Sequence, residues 1–262
     1  MKQLRDERQR FRAVVAILDE DAQPIGSGFF VGEEGLILTA AHVLDENGQP
    51  PADVWVGVYT QERETEPKVH LAEVVRGYFF AEDSTDLAVL RLREPPAGAL
   101  WLAPGASSRC RRAVGFGYPE QCGEGLGLEA TVHTPMPGQW LQLTCEQITP
   151  GYSGGPLIDG RSGAVIAVVC SIFEPDPATS KWENECFAVP IERVAAALAE
   201  AYVRGAEDDE ADALVVAWID QVSREVGPRS TWRLDPAVDG SSPALAEADV
   251  AALARLFAEV EE

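Results

Sequence analysis

Three short segments of the sequence carry side chains that together could catalyse acyl transfer. His42 stands in LTAAHVLD directly after a run of strand-forming residues, Asp86 opens DLAVLRL, and Ser153 lies in the glycine-rich TPGYSGGPL. Acyl transfer needs a nucleophile, a general base and a group that orients the base, and a hydroxyl, an imidazole and a carboxylate suit these roles. We therefore predict that Ser153 attacks a carbonyl carbon, that His42 takes its proton, and that Asp86 holds the imidazole.

The glycines around Ser153 predict a second part of the site. The backbone N–H groups of Gly151 and Ser153 are expected to point at one spot and form an oxyanion hole. Gly151 has no Cβ, so its peptide can take the orientation that this hole requires. Gly154 and Gly155 allow a tight turn into the strand that starts near Pro156.

None of the three segments is specific when it is considered alone. A single histidine after a strand is usually structural or exposed, DLAVL is an ordinary strand opening, and GYSGGPL could be a tight turn. The occurrence of all three in the order His, Asp, Ser on a β-rich pattern is what indicates a catalytic site. His70 and His133 have no comparable context, and we interpret both as non-catalytic.

The elements that must position these residues are β-strands. Two sets of about six short runs, rich in β-branched and aromatic residues, flank a turn-rich break, REPPAG, at 93–98. The first set is AVVAIL, GSGFFV, LILTA, VWVGVYT, LAEVVRGYF and LAVLRL, and the second is RRAVGFGY, GLEATVHT, QWLQLTC, GGPLID, GAVIAVVCSIF and ECFAVP. We predict an all-β fold of two six-stranded antiparallel β-barrels.

The last part of the chain has a helical pattern instead. PIERVAAALAEAYVR, at 190–204, has apolar residues at helical spacing, and AEDDEAD, at 206–212, is a charge run that we interpret as a linker. Helices are also predicted at 212–226 and 242–262, which would form a small C-terminal α-helical appendage. The predicted organisation is a polar N-terminal arm (1–10), a catalytic domain (11–204), and an acidic linker with a small helical module (205–262).

The composition argues against several classes of function. A formal net charge of −22 repels nucleic acid and anionic lipid, so neither a nucleic-acid nor a membrane partner is expected. The five cysteines include no CxxC pair, which argues against a zinc site, and the sequence indicates no metal or organic cofactor. The odd cysteine count favours reduced thiols, and the charged start of the sequence lacks a signal-peptide pattern, so a cytoplasmic location is expected.

The segments TAAHVL, DLAVLRL and PGYSGGPL resemble the trypsin-like serine peptidases, and most closely the protease domain of the bacterial HtrA/DegP group. The resemblance continues in GAVIAVVCS and CFAVP and covers roughly 11–203. It implies chymotrypsin-like barrels with the catalytic residues in the cleft between them. It also implies hydrolysis of peptide bonds in protein or peptide substrates through an acyl-enzyme.

Two departures from the family bear on regulation. Tyr152 precedes the serine, where trypsins that mature by cleavage have an aspartate, so control is expected to act by ordering loops, such as those at 115–127 and 172–184. The segment 205–262 reads as helical, whereas a PDZ domain would contain strands. Two readings of this segment stay open, an adaptor for a regulatory protein partner and a helical brace packed on the barrels.

The resemblance also places a pocket for the residue before the scissile bond. Its walls are expected at 145–151 and 168–172. The candidate lining residues are Gln147, Ile148, Thr149, Val169, Cys170 and Ser171. Trypsin has an aspartate where this sequence has the neutral Gln147, so a small or medium uncharged residue is expected in place of a basic one.

Two rival functions are compatible with parts of this pattern. A catalytically silent protease-fold scaffold or adaptor would have no need of the three catalytic side chains and the glycine loop. A hydrolase of esters or thioesters would use the same site on other substrates. The nucleophile elbow of α/β-hydrolases, however, lies between a strand and a helix, whereas GYSGG lies in a β-rich pattern.

Overall fold

The structure is a computed structural model that describes most of the chain between residues 11 and 226. The described residues are 11–45, 49–60, 67–81, 85–107, 110–119, 125–133, 140–146, 148–172, 185–205 and 209–226. The predicted arm at 1–10 and the predicted second tail helix at 242–262 lie outside this range.

The first half of the chain forms a closed barrel of six strands. The strands are β1 (Val14–Leu18), β2 (Pro24–Phe30), β3 (Leu36–Thr39), β4 (Asp53–Val58), β5 (Lys68–Phe80) and β6 (Leu87–Arg91). They neighbour one another in the order β1-β2-β3-β6-β5-β4, and all the pairings are antiparallel.

The second half forms another closed barrel of six antiparallel strands. These are β7 (Arg112–Gly117), β8 (Leu126–Val132), β9 (Leu141–Thr144), β10 (Pro156–Asp159), β11 (Val165–Ile172) and β12 (Glu185–Pro190), in the order β10-β11-β12-β9-β8-β7. The predicted fold class of two six-stranded antiparallel barrels is confirmed.

The barrels are stabilised by three apolar clusters, and β1 contributes to two of them through its two opposite faces. Val15 and Ile17 pack in a cluster built from the first barrel alone, whereas Val14 and Ala16 pack in a larger cluster that joins both barrels and the helices. Successive side chains of a strand point to opposite faces. A strand buried on both faces therefore reads as a continuous apolar run, as VVAIL does.

Two helices follow the barrels, α1 (Ile191–Val203) and α2 (Asp209–Val226). The apolar side chains of α2 recur at helical spacing and join the cluster between the barrels; they are Ala211, Val215, Trp218, Ile219 and Val222. This helix therefore packs as a brace on the two barrels. The boundary predicted between 11–204 and 205–262 stays a prediction.

The interpretation of 206–212 as a linker was wrong for its second half. Asp209 to Asp212 forms the first turn of α2, where carboxylates are favoured by the helix dipole. Asp212 is buried and accepts a hydrogen bond of 2.5 Å from the Tyr78 hydroxyl, and Glu210 contacts the guanidinium of Arg91. These partners lie on β5 and β6, far away in the sequence, so the charge run alone could not show them.

Candidate active site

His42 lies at one edge of the first barrel. It follows β3 on a short 3-10 turn, Ala41–Val43, whose first residue is fully buried. Because β3 and β6 are antiparallel neighbours, the end of β3 and the start of β6 lie at the same edge. This pairing brings His42 beside Asp86, which directly precedes β6.

Asp86 contacts His42 through both carboxylate oxygens. Its Oδ2 lies 2.7 Å from the His42 Nδ1, and its Oδ1 accepts the His42 backbone N–H at 2.9 Å. The Asp86 side chain is 16% exposed and that of His42 is 48% exposed. The carboxylate therefore fixes both the ring and the backbone of the histidine while the outer edge of the ring stays accessible.

This contact determines which ring nitrogen can act as a base. An imidazole that donates from Nδ1 to a carboxylate carries its proton there, which leaves a lone pair on Nε2. Asp86 itself has a φ of +42°, in the left-handed region that costs an ordinary side chain energy. Aspartate tolerates this region better than most residues, and backbone strain of this kind is common at functional sites.

Ser153 lies in a tight loop just before β10. Gly151 and Gly154 on either side of it have φ values of +100° and +81°, which glycine adopts without steric cost. The Gly155 N–H donates to the Tyr152 carbonyl across the turn at 2.9 Å. An ideal Cβ on Gly154 would lie 2.1 Å from the Ser27 carbonyl oxygen, so the loop fits against the first barrel only with glycine there.

The same loop presents two backbone donors. Within the described part of the chain, neither the Gly151 N–H nor the Ser153 N–H donates to a protein acceptor. Ser153 is 9% exposed, so this part of the loop is largely sheltered from solvent. Two such N–H groups in the loop of a nucleophilic serine can stabilise the negative charge that forms on the oxygen of the attacked carbonyl.

The loop reaches the edge of the first barrel that carries the histidine. The Ser27 N–H donates to the Ser153 carbonyl at 2.8 Å, and an ideal Cβ on Gly154 would lie 2.8 Å from the backbone nitrogen of Ala40. Ala40 precedes His42 by two residues. Among the described residues, the Ser153 hydroxyl makes no hydrogen bond to His42, and such catalytic hydrogen bonds often tighten only in the substrate complex.

The residues predicted to line the specificity pocket do not all share one wall. Ile148 and Val169 both pack in the core cluster of the second barrel, and Thr149 is exposed. Ser171 pairs with Phe187 in the β11–β12 ladder. Gln147 and the side chain of Ser171 lie outside the described residues.

Cys170, another residue predicted for that wall, occupies a special position in β11, and its role in the pocket stays a prediction. Val169 pairs with Ala188 and Ser171 with Phe187, so Cys170 is the extra residue of a β-bulge. Its thiol packs in the cluster between the barrels, and Sγ lies 3.6 Å from the Asp86 carbonyl oxygen. A bulge re-aims a side chain, which the sequence pattern of β11 could not show.

Burial, and then the nearby Asp86 carboxylate, raise the pKa of the Cys170 thiol well above its usual value. A thiol with a raised pKa is a poor nucleophile. Cys170 is therefore a packing residue beneath the aspartate.

The other two histidines of the sequence have surroundings different from those of His42. His133 on the second barrel lies with its Nε2 2.7 Å from the Thr144 hydroxyl, and His70 on β5 pairs with Val56 of β4. Among the described residues, no group of three or more histidine, cysteine or acidic side chains could hold a metal ion. None of the described helices is long and apolar enough to cross a membrane.

Comparison with known proteins finds matches to trypsin-like serine proteases. The profile of the trypsin-like peptidase domain family matches residues 26–168. A putative serine protease HhoA from Synechocystis is 32% identical over 190 residues, which covers 65% of this chain and 41% of that protein. A probable periplasmic serine endoprotease, DegP-like, from Brucella suis is 28% identical over 162 residues, which covers 57% of this chain and 28% of that protein.

The fold also has relatives among known structures. The serine endoprotease from Yersinia pestis superposes with a TM-score of 0.56 at 22% identity, over 76% of this chain and 67% of that one. The chain spans less than half the length of the two relatives matched by sequence. The family match at 26–168 begins in β2 and ends in β11.

Proposed function

Since the chain belongs to the trypsin-like peptidase family and has HtrA/DegP-like relatives, we propose that it is a serine endopeptidase that cleaves protein or peptide substrates with His42, Asp86 and Ser153 as its triad. The observation that carries this proposal is the two-point contact of Asp86 with His42, at the barrel edge that the Ser153 loop approaches.

The first chemical step is attack by the Ser153 oxygen on the scissile carbonyl carbon. His42 Nε2 takes the hydroxyl proton, and the Asp86 carboxylate stabilises the imidazolium that results. The negative charge that develops on the carbonyl oxygen is stabilised by the N–H groups of Gly151 and Ser153. Together these groups account for the formation of the tetrahedral intermediate.

Collapse of that intermediate breaks the peptide bond. His42 gives its proton to the departing amine, which leaves an acyl group on Ser153. Water then attacks the acyl-enzyme, with His42 as general base again, and a second tetrahedral intermediate releases the carboxylic acid. The same two backbone donors serve both intermediates.

A labelling experiment tests the proposal. A fluorophosphonate probe is expected to label the wild type and to fail with Ser153→Ala and His42→Ala. Ser162→Ala, at an exposed serine that hydrogen-bonds Asp159, is the matched control and should label like the wild type. The same four proteins are then incubated with casein, and peptide products are measured by mass spectrometry.

The outcomes separate the rival functions. Labelling together with cleavage supports the endopeptidase. Labelling without cleavage, combined with hydrolysis of a p-nitrophenyl ester, would favour an esterase. A folded wild type that is neither labelled nor active would favour the silent scaffold.

A cytoplasmic location and a regulatory partner are further parts of the proposal. Among the described residues no disulfide is present, which suits a reducing compartment, although relatives carry names that place them in the periplasm. Fractionation of the producing cells with marker enzymes tests the location.

A regulatory partner is proposed to bind through 205–262. Its capture by the full chain, but not by a variant that ends at residue 226, tests this partner proposal.

A further inference from the structure

Ser27 on β2 is a buried polar residue that the proposed catalytic mechanism does not use. It has no exposed surface, and its hydroxyl makes two hydrogen bonds across the boundary between the barrels. The hydroxyl donates to the Gly151 carbonyl at 2.6 Å and accepts the Tyr118 N–H at 2.9 Å. A single hydroxyl thus connects the first barrel to two segments of the second.

The hydrogen bond to Gly151 holds one end of a peptide unit. The other end of that planar unit is the Tyr152 N–H, which donates to the Thr149 carbonyl at 3.4 Å. The Gly151–Tyr152 peptide is therefore fixed at both ends. With this peptide fixed, the direction of the Gly151 N–H is set by the φ and ψ angles of Gly151, of which φ is +100°.

The backbone of Ser27 holds a second peptide unit in the same way. Its N–H donates to the Ser153 carbonyl at 2.8 Å, and the other end of that unit, the Gly154 N–H, donates to the Val169 carbonyl at 2.6 Å. Each residue that supplies an oxyanion donor therefore has its carbonyl bound by Ser27. One of these bonds comes from the side chain and the other from the backbone.

We propose that Ser27 is a positioning residue whose hydroxyl aligns the Gly151 N–H for oxyanion stabilisation. This inference rests on the proposed endopeptidase function. It assigns the link between the first barrel and the Gly151 donor to one side chain, which lies 124 residues before Gly151 in the sequence.

The size of the effect follows from what the hydroxyl controls. Loss of one complete oxyanion donor lowers kcat by about 10²–10³-fold. Ser27→Ala removes the side-chain hydrogen bond to the Gly151 carbonyl but leaves the hydrogen bond from the Ser27 N–H to the Ser153 carbonyl. The expected result is therefore a fall in kcat of about 10–100-fold, with KM changed by less than about twofold, because the donor acts on charge that develops in the transition state.

The matched control is Ser107→Ala. Ser107 is also buried, and its hydroxyl lies 3.1 Å from a Glu192 carboxylate oxygen, away from the Ser153 loop. Both variants lose a buried hydroxyl and both should be less stable. Only Ser27→Ala should lose kcat when the proteins are assayed at a temperature where both are folded. If the kcat of Ser27→Ala falls no further than that of Ser107→Ala, or if KM alone changes, the positioning role is wrong.

A measurement that needs no activity completes the test. Hydrogen–deuterium exchange followed by mass spectrometry should show faster uptake over 148–155 in Ser27→Ala than in the wild type, and no such change in Ser107→Ala. Ser27→Gly, which also lacks the hydroxyl, should repeat the result if the alanine variant expresses poorly. Unchanged exchange would overturn the inference. A wild type that neither cleaves nor labels would instead count against the proposed function, and the exchange result would still decide the role of Ser27.

Discussion

His42 Nδ1 lies 2.7 Å from Oδ2 of Asp86, while the His42 backbone N–H is bound by Oδ1 of the same carboxylate at 2.9 Å. The aspartate therefore orients the ring and also anchors the turn that carries it. Both functions depend on a residue whose φ is +42°. A substitution that tests the charge must therefore leave this backbone conformation possible.

Asp86→Asn meets that condition, because asparagine also tolerates the left-handed region. We expect kcat to fall by about 10⁴-fold, the size of the effect of the equivalent change in chymotrypsin-like enzymes, since an amide favours the wrong imidazole tautomer. Steady-state kinetics on a peptide substrate measure this. Asp53→Asn, at an exposed residue of β4, is the control and should keep the wild-type kcat. Equal rates for Asp86→Asn and the wild type would exclude Asp86 from the triad.

Gly154→Ala is expected to lower the free energy of unfolding by at least about 3 kcal/mol, because strain and overlap add together. Its φ is +81°, and an ideal Cβ would lie 2.3 Å from the Thr39 hydroxyl as well as 2.1 Å from the Ser27 carbonyl oxygen. Urea unfolding measures the change. Gly205→Ala separates the two causes, since Gly205 also has a positive φ but no atom within 4 Å of its Cβ position. It should cost about 1 kcal/mol. If both variants lose a similar amount of unfolding free energy, neighbouring atoms at residue 154 must move to make room for the added Cβ.

Much of the fold could be predicted from the sequence because the information is local. The strands of both barrels were placed to within a few residues because alternating or continuous apolar runs, such as VVAIL and VIAVVCSI, record which faces are buried. The order of His42, Asp86 and Ser153 indicated the candidate site for a related reason. Each of these residues lies beside a strand end that the pattern located.

The remaining features depend on contacts between distant segments. Ser27 stands in an ordinary strand sequence, and only its approach to Gly151 shows what its hydroxyl does. The bulge at Cys170 and the positive φ of Asp86 have no local signature either. A serine between two glycines was the one available signal for Ser27, since small neighbours permit a close approach of backbones.

The attachment of α2 to the first barrel gives a prediction about stability. Tyr78→Phe should lower the free energy of unfolding by about 2 kcal/mol, because it removes a hydrogen bond to the buried Asp212 carboxylate. The same substitution in an Asp212→Leu background should cost less than about 1 kcal/mol, since no buried charge is then left without its donor. Tyr202→Phe, at a half-buried tyrosine of α1, is the control. Additive effects in the double-mutant cycle would show that the two side chains do not interact.

The last prediction concerns pH. Burial raises the pKa of the Glu192 carboxyl, and the hydrogen bonds from Ser107 offset this only in part. The folded protein therefore keeps a proton that the unfolded chain releases as the pH rises above about 4. In that window the folded state binds more protons, so this group makes the free energy of unfolding fall as the pH rises.

Glu192→Gln removes this titrating group. The variant should therefore lack the part of the pH dependence of the free energy of unfolding that Glu192 causes. Relative to the glutamine variant, the wild type should be most stable at the acid end and should lose that advantage as the pH increases through the raised pKa. Urea unfolding of both proteins at a series of pH values measures the difference. Glu129→Gln, at an exposed residue of β8, is the control and should follow the wild-type curve. A stability difference between the wild type and Glu192→Gln that stays constant over the series would mean that Glu192 has the same pKa in the folded and unfolded states.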